Sequence, residues 1–351
     1  MSSILAKLFP LVNTINISYV SMNRNSIELR ASVLMEQRVI MPYSLNYPAI
    51  LPYVSNSRLN SYQNVFSHID DAELYGIYIW SQQAAASIYP ILQNFEVTLR
   101  NAVDREARKR FGDYWWDKID SNDPTAKFYE KIKAAKGKLK SEWKRKTFGL
   151  PPGSSLPAGH SYPVWSHDEI VAATDCSAWE FILIDSFATT DRARQNDFLW
   201  PKSLGKVFKN HDIESSDRTI ARQKIMSLVN EIRTYRNRLF HHEPLWTKAP
   251  HVTNDQTAID TIRQKINRIE KLIKIIDLNK LAAMRKVGMF LHARRICSTQ
   301  GLGSYTYKPC IDAPTRKQRR VIRKLLGLTK KGNHTATFEY ANRTFAMHRL
   351  R

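Results

Sequence analysis

Apolar residues recur at helical spacing along three stretches of the chain. In the first, Ile225, Leu228, Val229, Ile232, Leu239 and Phe240 fall three or four residues apart. That is one face of a helix at ~100° per residue, and Pro244 stops it by disfavouring helical geometry at Glu243. Upstream, Ala85, Ile88, Leu92, Phe95, Leu99 and Val103 predict a long helix over about 82–111, with a kink at Pro90. Ser81 precedes it, and a shorter helix through Leu74, Tyr75, Tyr78 and Trp80 comes before, with Asp70 and Asp71 as N-caps. Downstream, Ile259, Ile262, Ile266, Ile269, Leu272, Ile273 and Ile276 predict a helix whose face packs on the bundle or on a second chain.

Residues 1–55 are weakly periodic, poor in charge and interrupted by Pro42, Pro48 and Pro52; they read as an extension, with Met35 or Met41 as alternative starts. Residues 125–148 suit a strongly basic helix, and 151–163 form a Pro/Gly/Ser loop. Ser166-x-x-Glu169 reads as a capping box before a helix running through Ala178 to Phe187. Further on, Gly301, Gly303 and Pro309 break the helical pattern. Strand-like alternation is scarce, so the expected fold is all-α, an elaborated helical bundle. Its parts are an extension (1–55), a helical domain (56–298) and a basic tail (299–351).

A chain of 351 residues that is 43% apolar can bury a sizeable core. The formal charge of +22 points to a polyanion, with nucleic acid ahead of an anionic membrane surface. Cys176, Cys297 and Cys310 lie far apart, which suggests neither a disulfide framework nor a zinc site. The first twenty residues form no clear signal peptide, and no run of about eighteen apolar residues suggests a membrane span. A cytoplasmic location is expected.

Arg236 falls ~20° from Ile225, near the middle of an apolar face. A guanidinium there must be paired or must face a solvated cleft. Arg236-Asn237 followed by His241-His242, with Glu243-Pro244-Leu245-Trp246 behind, resembles the R-N-x-x-x-H-H element of the Abi (abortive-infection) proteins of the HEPN superfamily. Leu74-Tyr75 through Trp80, then Phe95-Glu96-Val97-Thr98-Leu99-Arg100-Asn101, is similar to the N-terminal half of those proteins, with Ser81 where many place asparagine. Trp200-Pro201, Leu204 and Phe208 are similar to the segment preceding the R-N helix. The resemblance covers roughly residues 57–280. It implies a HEPN-like bundle that cleaves or binds RNA, and a homodimer with a composite cleft at its twofold interface. The setting it implies is phage defence, or a growth-arresting toxin neutralised by an antitoxin protein or RNA.

RNA carries its own nucleophile. Removal of the 2′-hydroxyl proton lets that oxygen attack the adjacent phosphorus, giving a 2′,3′-cyclic phosphate and a free 5′-hydroxyl. Imidazole suits the proton transfer, and a permanently cationic guanidinium suits the charge that grows on the phosphoryl oxygens. The pair suffices in principle without a metal or cofactor. His241 is accordingly the expected general base or acid, Arg236 the phosphate ligand and Asn237 the residue that positions the site, with His242, Glu96, Arg100 and Asn101 in support. On an unbroken helix His241 lies ~140° from Arg236, so either the helix breaks before His241 or two copies of the motif meet.

Plainer readings stand beside these. Arg236 pairs structurally with Glu96 or Glu231, Glu96 and Arg100 form an ordinary i,i+4 pair, and the histidines simply end a helix. His167-Asp168-Glu169 is a capping turn with no ligand role. In the tail, Arg316, Lys317, Arg319, Arg320, Arg323 and Lys324 are candidate phosphate contacts, or else a solvated charged end. A non-catalytic RNA-binding module is the alternative to a nuclease, and a helical protein held on an anionic surface by its tail is a third reading.

Overall fold

The computed structural model describes residues 45–66, 70–246, 249 and 251–306, and beyond them 316, 320, 323, 324, 327, 335–340 and 343–348. Most of the 1–55 extension, with Met35 and Met41, lies outside these. Helix dominates, as the spacing predicts. The described residues fall into two compact units, one drawn from those within 45–83, 251–259 and 295–348, the other from those within 84–249 and 260–294. No described helix is long and apolar enough to cross a membrane.

In the first unit, α1 (Tyr47–Ile50) and α2 (Asn56–Gln63) precede the start of α3 (Asp71–Phe111). The two helices expected around Ser81 are thus one helix of 41 residues. Its N-cap is Asp70, whose Oδ1 accepts from the Glu73 amide at 2.7 Å, while Ser81 is buried within the helix. Pro90 forfeits a single backbone donor and is tolerated. The Trp80 indole donates to the Ile296 carbonyl at 2.8 Å, and Phe66 meets its ring edge-on.

Gly301 and Gly303 do not break the helical pattern; both lie within a short helix, Thr299–Tyr305. A Cβ at Gly301 would stand 2.1 Å from the Ile296 carbonyl oxygen, so backbone contact demands glycine there. A two-stranded antiparallel ribbon, β1 (Thr335–Tyr340) and β2 (Arg343–His348), pairs Thr335 with His348 and Tyr340 with Arg343. It lies in the tail, while the described fold is mostly helical as expected, and its signal is the alternation of Ala336, Phe338 and Tyr340 with Thr335, Thr337 and Glu339.

The second unit holds the rest of α3, then α4 (Lys127–Phe148), α5 (His167–Ala173), α6 (Cys176–Phe181), α7 (Leu204–Val207) and α8 (Arg218–Phe240). It is completed by most of α9 (Asp255–Ile276), by α10 (Leu278–Lys286) and by most of α11 (Met289–Ile296). On α9, Ile262, Ile266, Ile269, Leu272 and Ile273 are fully buried, each stabilising by roughly 1.5–3 kcal/mol. Helix α4 packs on α5 and α6, and α6 packs on α8.

The capping box forms as expected, with Ser166 and Glu169 exchanging hydrogen bonds. The helix it opens ends at Ala173 instead of reaching Phe187, because Thr174 turns extended and Asp175 caps a new helix at the Ser177 and Ala178 amides. Farther along, Trp200, Leu204 and Phe208 are core residues. Arg110 fastens the segment before them, donating to the carbonyls of Gln195, Asn196, Phe198 and Leu199 and to the Ser203 hydroxyl.

Candidate functional site

Helix α8 begins at Asp217, whose side chain caps the Thr219 and Ile220 amides. Its buried face carries Ala221, Arg222, Ile225, Val229, Ile232, Tyr235 and Leu239. The helix ends at Phe240, with His241 as C-cap. The His242 amide donates to the Leu239 carbonyl and the Glu243 amide to the Arg238 carbonyl, both at 3.1 Å. That pair of bonds is a Schellman closure, which needs a left-handed residue, and His242 supplies it at φ 57°. Pro244 follows and is buried with Leu245 and Trp246.

Two arginines on the inner side of this helix meet opposite fates. Arg222 is sealed at 2% exposure and donates to the Leu183 carbonyl and the Asp185 carboxylate. Arg236, about four turns on, keeps a third of its side chain open. Its carboxylate neighbour, Glu96 of α3, stands 3.8 Å away, beyond hydrogen-bond reach. The guanidinium also donates to Asn237 Oδ1 at 3.3 Å and lies over the Phe240 ring at 4.2 Å. Phe240 in turn meets Tyr89 of α3 edge-on at 5.2 Å.

Two other carboxylates near this part of α8 are engaged. Glu231 holds Lys265 and Arg268, and Glu180 holds Arg233 and Asn230. Of the two acids weighed as structural partners for Arg236, only Glu96 approaches it. Arg100 turns to Asn101 at 3.3 Å and makes no ion pair with Glu96. Asn101 lines a separate cleft of about 580 Å³ with Asp104, Arg105, Arg108, Lys109 and Asp168.

His241 and His242 are both exposed. His241 still donates its amide to the Asn237 carbonyl, so the backbone leaves the helical path only after it. Within one chain its ring therefore keeps the divergent direction set by helix geometry, and no hydrogen bond or ring contact joins it to Arg236 among the described residues. In the tail, Arg316, Arg320, Arg323 and Lys324 are helical and exposed, whereas Lys317 and Arg319 lie outside the described residues.

Two further groups belong to these surroundings. Cys176 of α6 is buried, and burial, with Glu96 nearby, pushes its thiol up to about 12. His167 is buried away from Arg236. Its Nδ1 accepts from the Tyr114 amide at 3.0 Å, which leaves Nε2 to carry the proton facing Asp104 at 2.8 Å. Both ring nitrogens are thus used in packing α5 against the end of α3.

The arrangement presents a half-solvated cation, stacked on an aromatic ring, near a helix end that displays two free imidazoles. It can hold a phosphoryl group at Arg236, while within one chain the imidazoles stand apart from that cation. Sequence patterning missed Phe240 and Tyr89 as parts of the site. Phe240 counted as core-facing, yet it is 40% exposed, and its spacing of four from Arg236 is the signal that links the two. No family model, curated protein or solved structure matches this chain.

Proposed function

We propose that this protein is an endoribonuclease of the Abi/HEPN type, working as a homodimer in antiviral defence or as a toxin. The observation that carries the reading is Arg236, which stays open to solvent on a face where Arg222 is sealed. A cation that served only the core would be closed off in the same way. In the proposed reaction the 2′-hydroxyl loses its proton to an imidazole and its oxygen attacks phosphorus. The bond from phosphorus to the 5′-oxygen breaks, and that oxygen takes up a proton. His241 is the proton carrier, Arg236 the phosphoryl ligand and Asn237 its positioning neighbour. No metal is required, and the exposed cations Arg316, Arg320, Arg323 and Lys324 are candidate phosphate contacts of the tail in their own right.

Purified protein should cleave single-stranded RNA in chelator and leave 2′,3′-cyclic phosphate ends. Arg236→Ala and His241→Ala should each abolish cleavage. Mixing the two inactive variants should restore activity, because a mixed dimer holds one site with both groups intact. Unchanged cleavage in either variant would sink the assignment. A non-catalytic RNA-binding module is the second reading, favoured by the absence of any contact between His241 and Arg236 within one chain. It predicts salt-sensitive binding without cleavage between about pH 5 and 9.

A further inference from the structure

A surface outside the α8 terminus joins positive charge to unburied aromatic rings. Over residues 131–165 eight lysines and arginines stand against one acid, Glu142. On α4, Lys133, Lys136, Lys140 and Trp143 recur at spacings of three, four and three, which places them within ~80° of one another beside the core face of Phe128, Ile132 and Ala135. The uncharged segment that follows α4 folds back on this stripe. Tyr162 meets Trp143 at 5.7 Å between ring centroids and stands beneath the Lys140 ammonium at 5.2 Å. Trp165 continues the row at 6.1 Å from Tyr162, and Phe148 stands edge-on to Trp143 at 5.3 Å.

None of these four rings is buried. They are held in place by two anchors. The Lys144 ammonium, 5% exposed, donates to the Ser154 carbonyl at 2.5 Å, and the Tyr114 hydroxyl donates to the Trp165 carbonyl at 3.0 Å. A lysine withdrawn from solvent to fasten a Pro/Gly/Ser loop shows that the position of this loop is specified.

We propose that α4 and residues 149–165 form a binding surface for single-stranded RNA, with bases on the Trp143–Tyr162–Trp165 row and phosphates on Lys133 and Lys140, beside Lys136, which pairs with Asp117 at 3.7 Å. Trp143 and Tyr162 meet edge-on at 61° and Tyr162 and Trp165 are tilted at 42°, so no pair in the row is stacked face to face. Faces remain for flat partners, and paired bases in a duplex cannot stack on them. The lysines supply the sequence-independent charge that a backbone needs. The choice of RNA rests on the ribonuclease reading above. The choice of a flat-based, single-stranded polyanion rests on this surface alone.

The test uses full-length protein carrying His241→Ala, so that RNA stays intact, titrated into a fluorescein-labelled 15-nucleotide uridine-rich RNA. Adding Tyr162→Ala should weaken binding at least roughly fivefold, the loss of one stacked base, while Tyr162→Phe should stay within about twofold of the parent. Adding Lys133→Gln with Lys140→Gln at these exposed positions should reduce the salt slope by about 1.4. This second pair keeps the test valid if Tyr162→Ala fails to fold. Binding unchanged in both sets would overturn the proposal. So would RNA binding unchanged alongside lost binding to vesicles of phosphatidylserine and phosphatidylcholine, which would give the surface to lipid. Wild-type cleavage is scored separately. Variant-sensitive binding without any cleavage removes the nuclease reading alone, and cleavage with variant-insensitive binding removes this surface alone.

Discussion

Arg236 and Phe240 form one unit, with the guanidinium carbon 4.2 Å from the centroid of a ring one helical turn ahead. The ring fixes the plane of the cation without neutralising it, as a tight carboxylate would. An exposed cation–π contact contributes about 0.5–1 kcal/mol, so Phe240→Ala should lower kcat/KM for RNA roughly two- to fivefold. Phe240→Trp should retain activity. Steady-state cleavage by the two variants checks this, and an undiminished Phe240→Ala would mean the ring serves only packing against Tyr89.

Glu96 faces Arg236 at 3.8 Å, too far for a hydrogen bond, and under the proposed function it acts as a positioning residue for the cation. Glu96→Gln should reduce cleavage by about an order of magnitude and should not abolish it, as a positioning residue does. If the effect lies in kcat with KM preserved, orientation in the transition state is the cause. A complete loss would instead make Glu96 a proton carrier.

His242 holds a left-handed conformation at φ 57°, where a side chain costs roughly 1–2 kcal/mol and glycine costs little. His242→Gly should therefore stabilise the protein by about 0.5–1 kcal/mol in urea unfolding. With His241 as the proposed proton carrier, cleavage should survive the change. Stabilisation with loss of cleavage would transfer that role to His242.

Glu180 is a buried acid that accepts from Asn230 at 2.6 Å and from the Arg233 guanidinium. Removing it alone strands Arg233 and should cost about 3 kcal/mol, whereas the double change Glu180→Leu with Arg233→Met should cost less than the single one. Denaturant midpoints decide the order. A single variant more stable than the double would mean Arg233 finds solvent freely.

Acid should unfold the protein through its paired carboxylates. Burial of Glu270 raises its pKa, but hydrogen bonds from Arg294 and Arg285 outweigh that and hold the carboxyl below its ordinary value. The Lys209 hydrogen bond lowers Asp277 in the same direction. A depressed carboxyl contributes stability that is present above the unfolded pKa of about 4 and is lost as pH falls through the lower folded value. The melting temperature should thus be nearly flat from about pH 5 to 7 and drop below about pH 4. Glu270→Gln should flatten part of that drop.

The C-terminal end of α8 was legible because apolar spacing and Pro244 agree, and the course of α9 was legible from its isoleucines, whereas the Asp217 cap that starts α8 went unread. Arg236 stood out from its place on the stripe. Its openness did not, since Arg222 on the same helix is closed by Leu183 and Asp185, nearly forty residues away in sequence. Ser81 has the chemistry of a cap, and burial overrode it within α3. Thr174 and Asp175 divide a segment whose apolar spacing continues across them, so periodicity alone extended that helix too far. Gly301 reads as a breaker from composition, and only the approach of the Ile296 carbonyl shows why a helix tolerates it.

Cys176, locked as a neutral thiol between α6 and the Arg236 end of α8, can act as a clock. Alkylating agents reach it only while those helices part, and only a sliver of it ionises when they do not. The speed at which Cys176 is modified in native protein therefore records how often this region breathes, and a bound RNA that clamps it would slow the ticking.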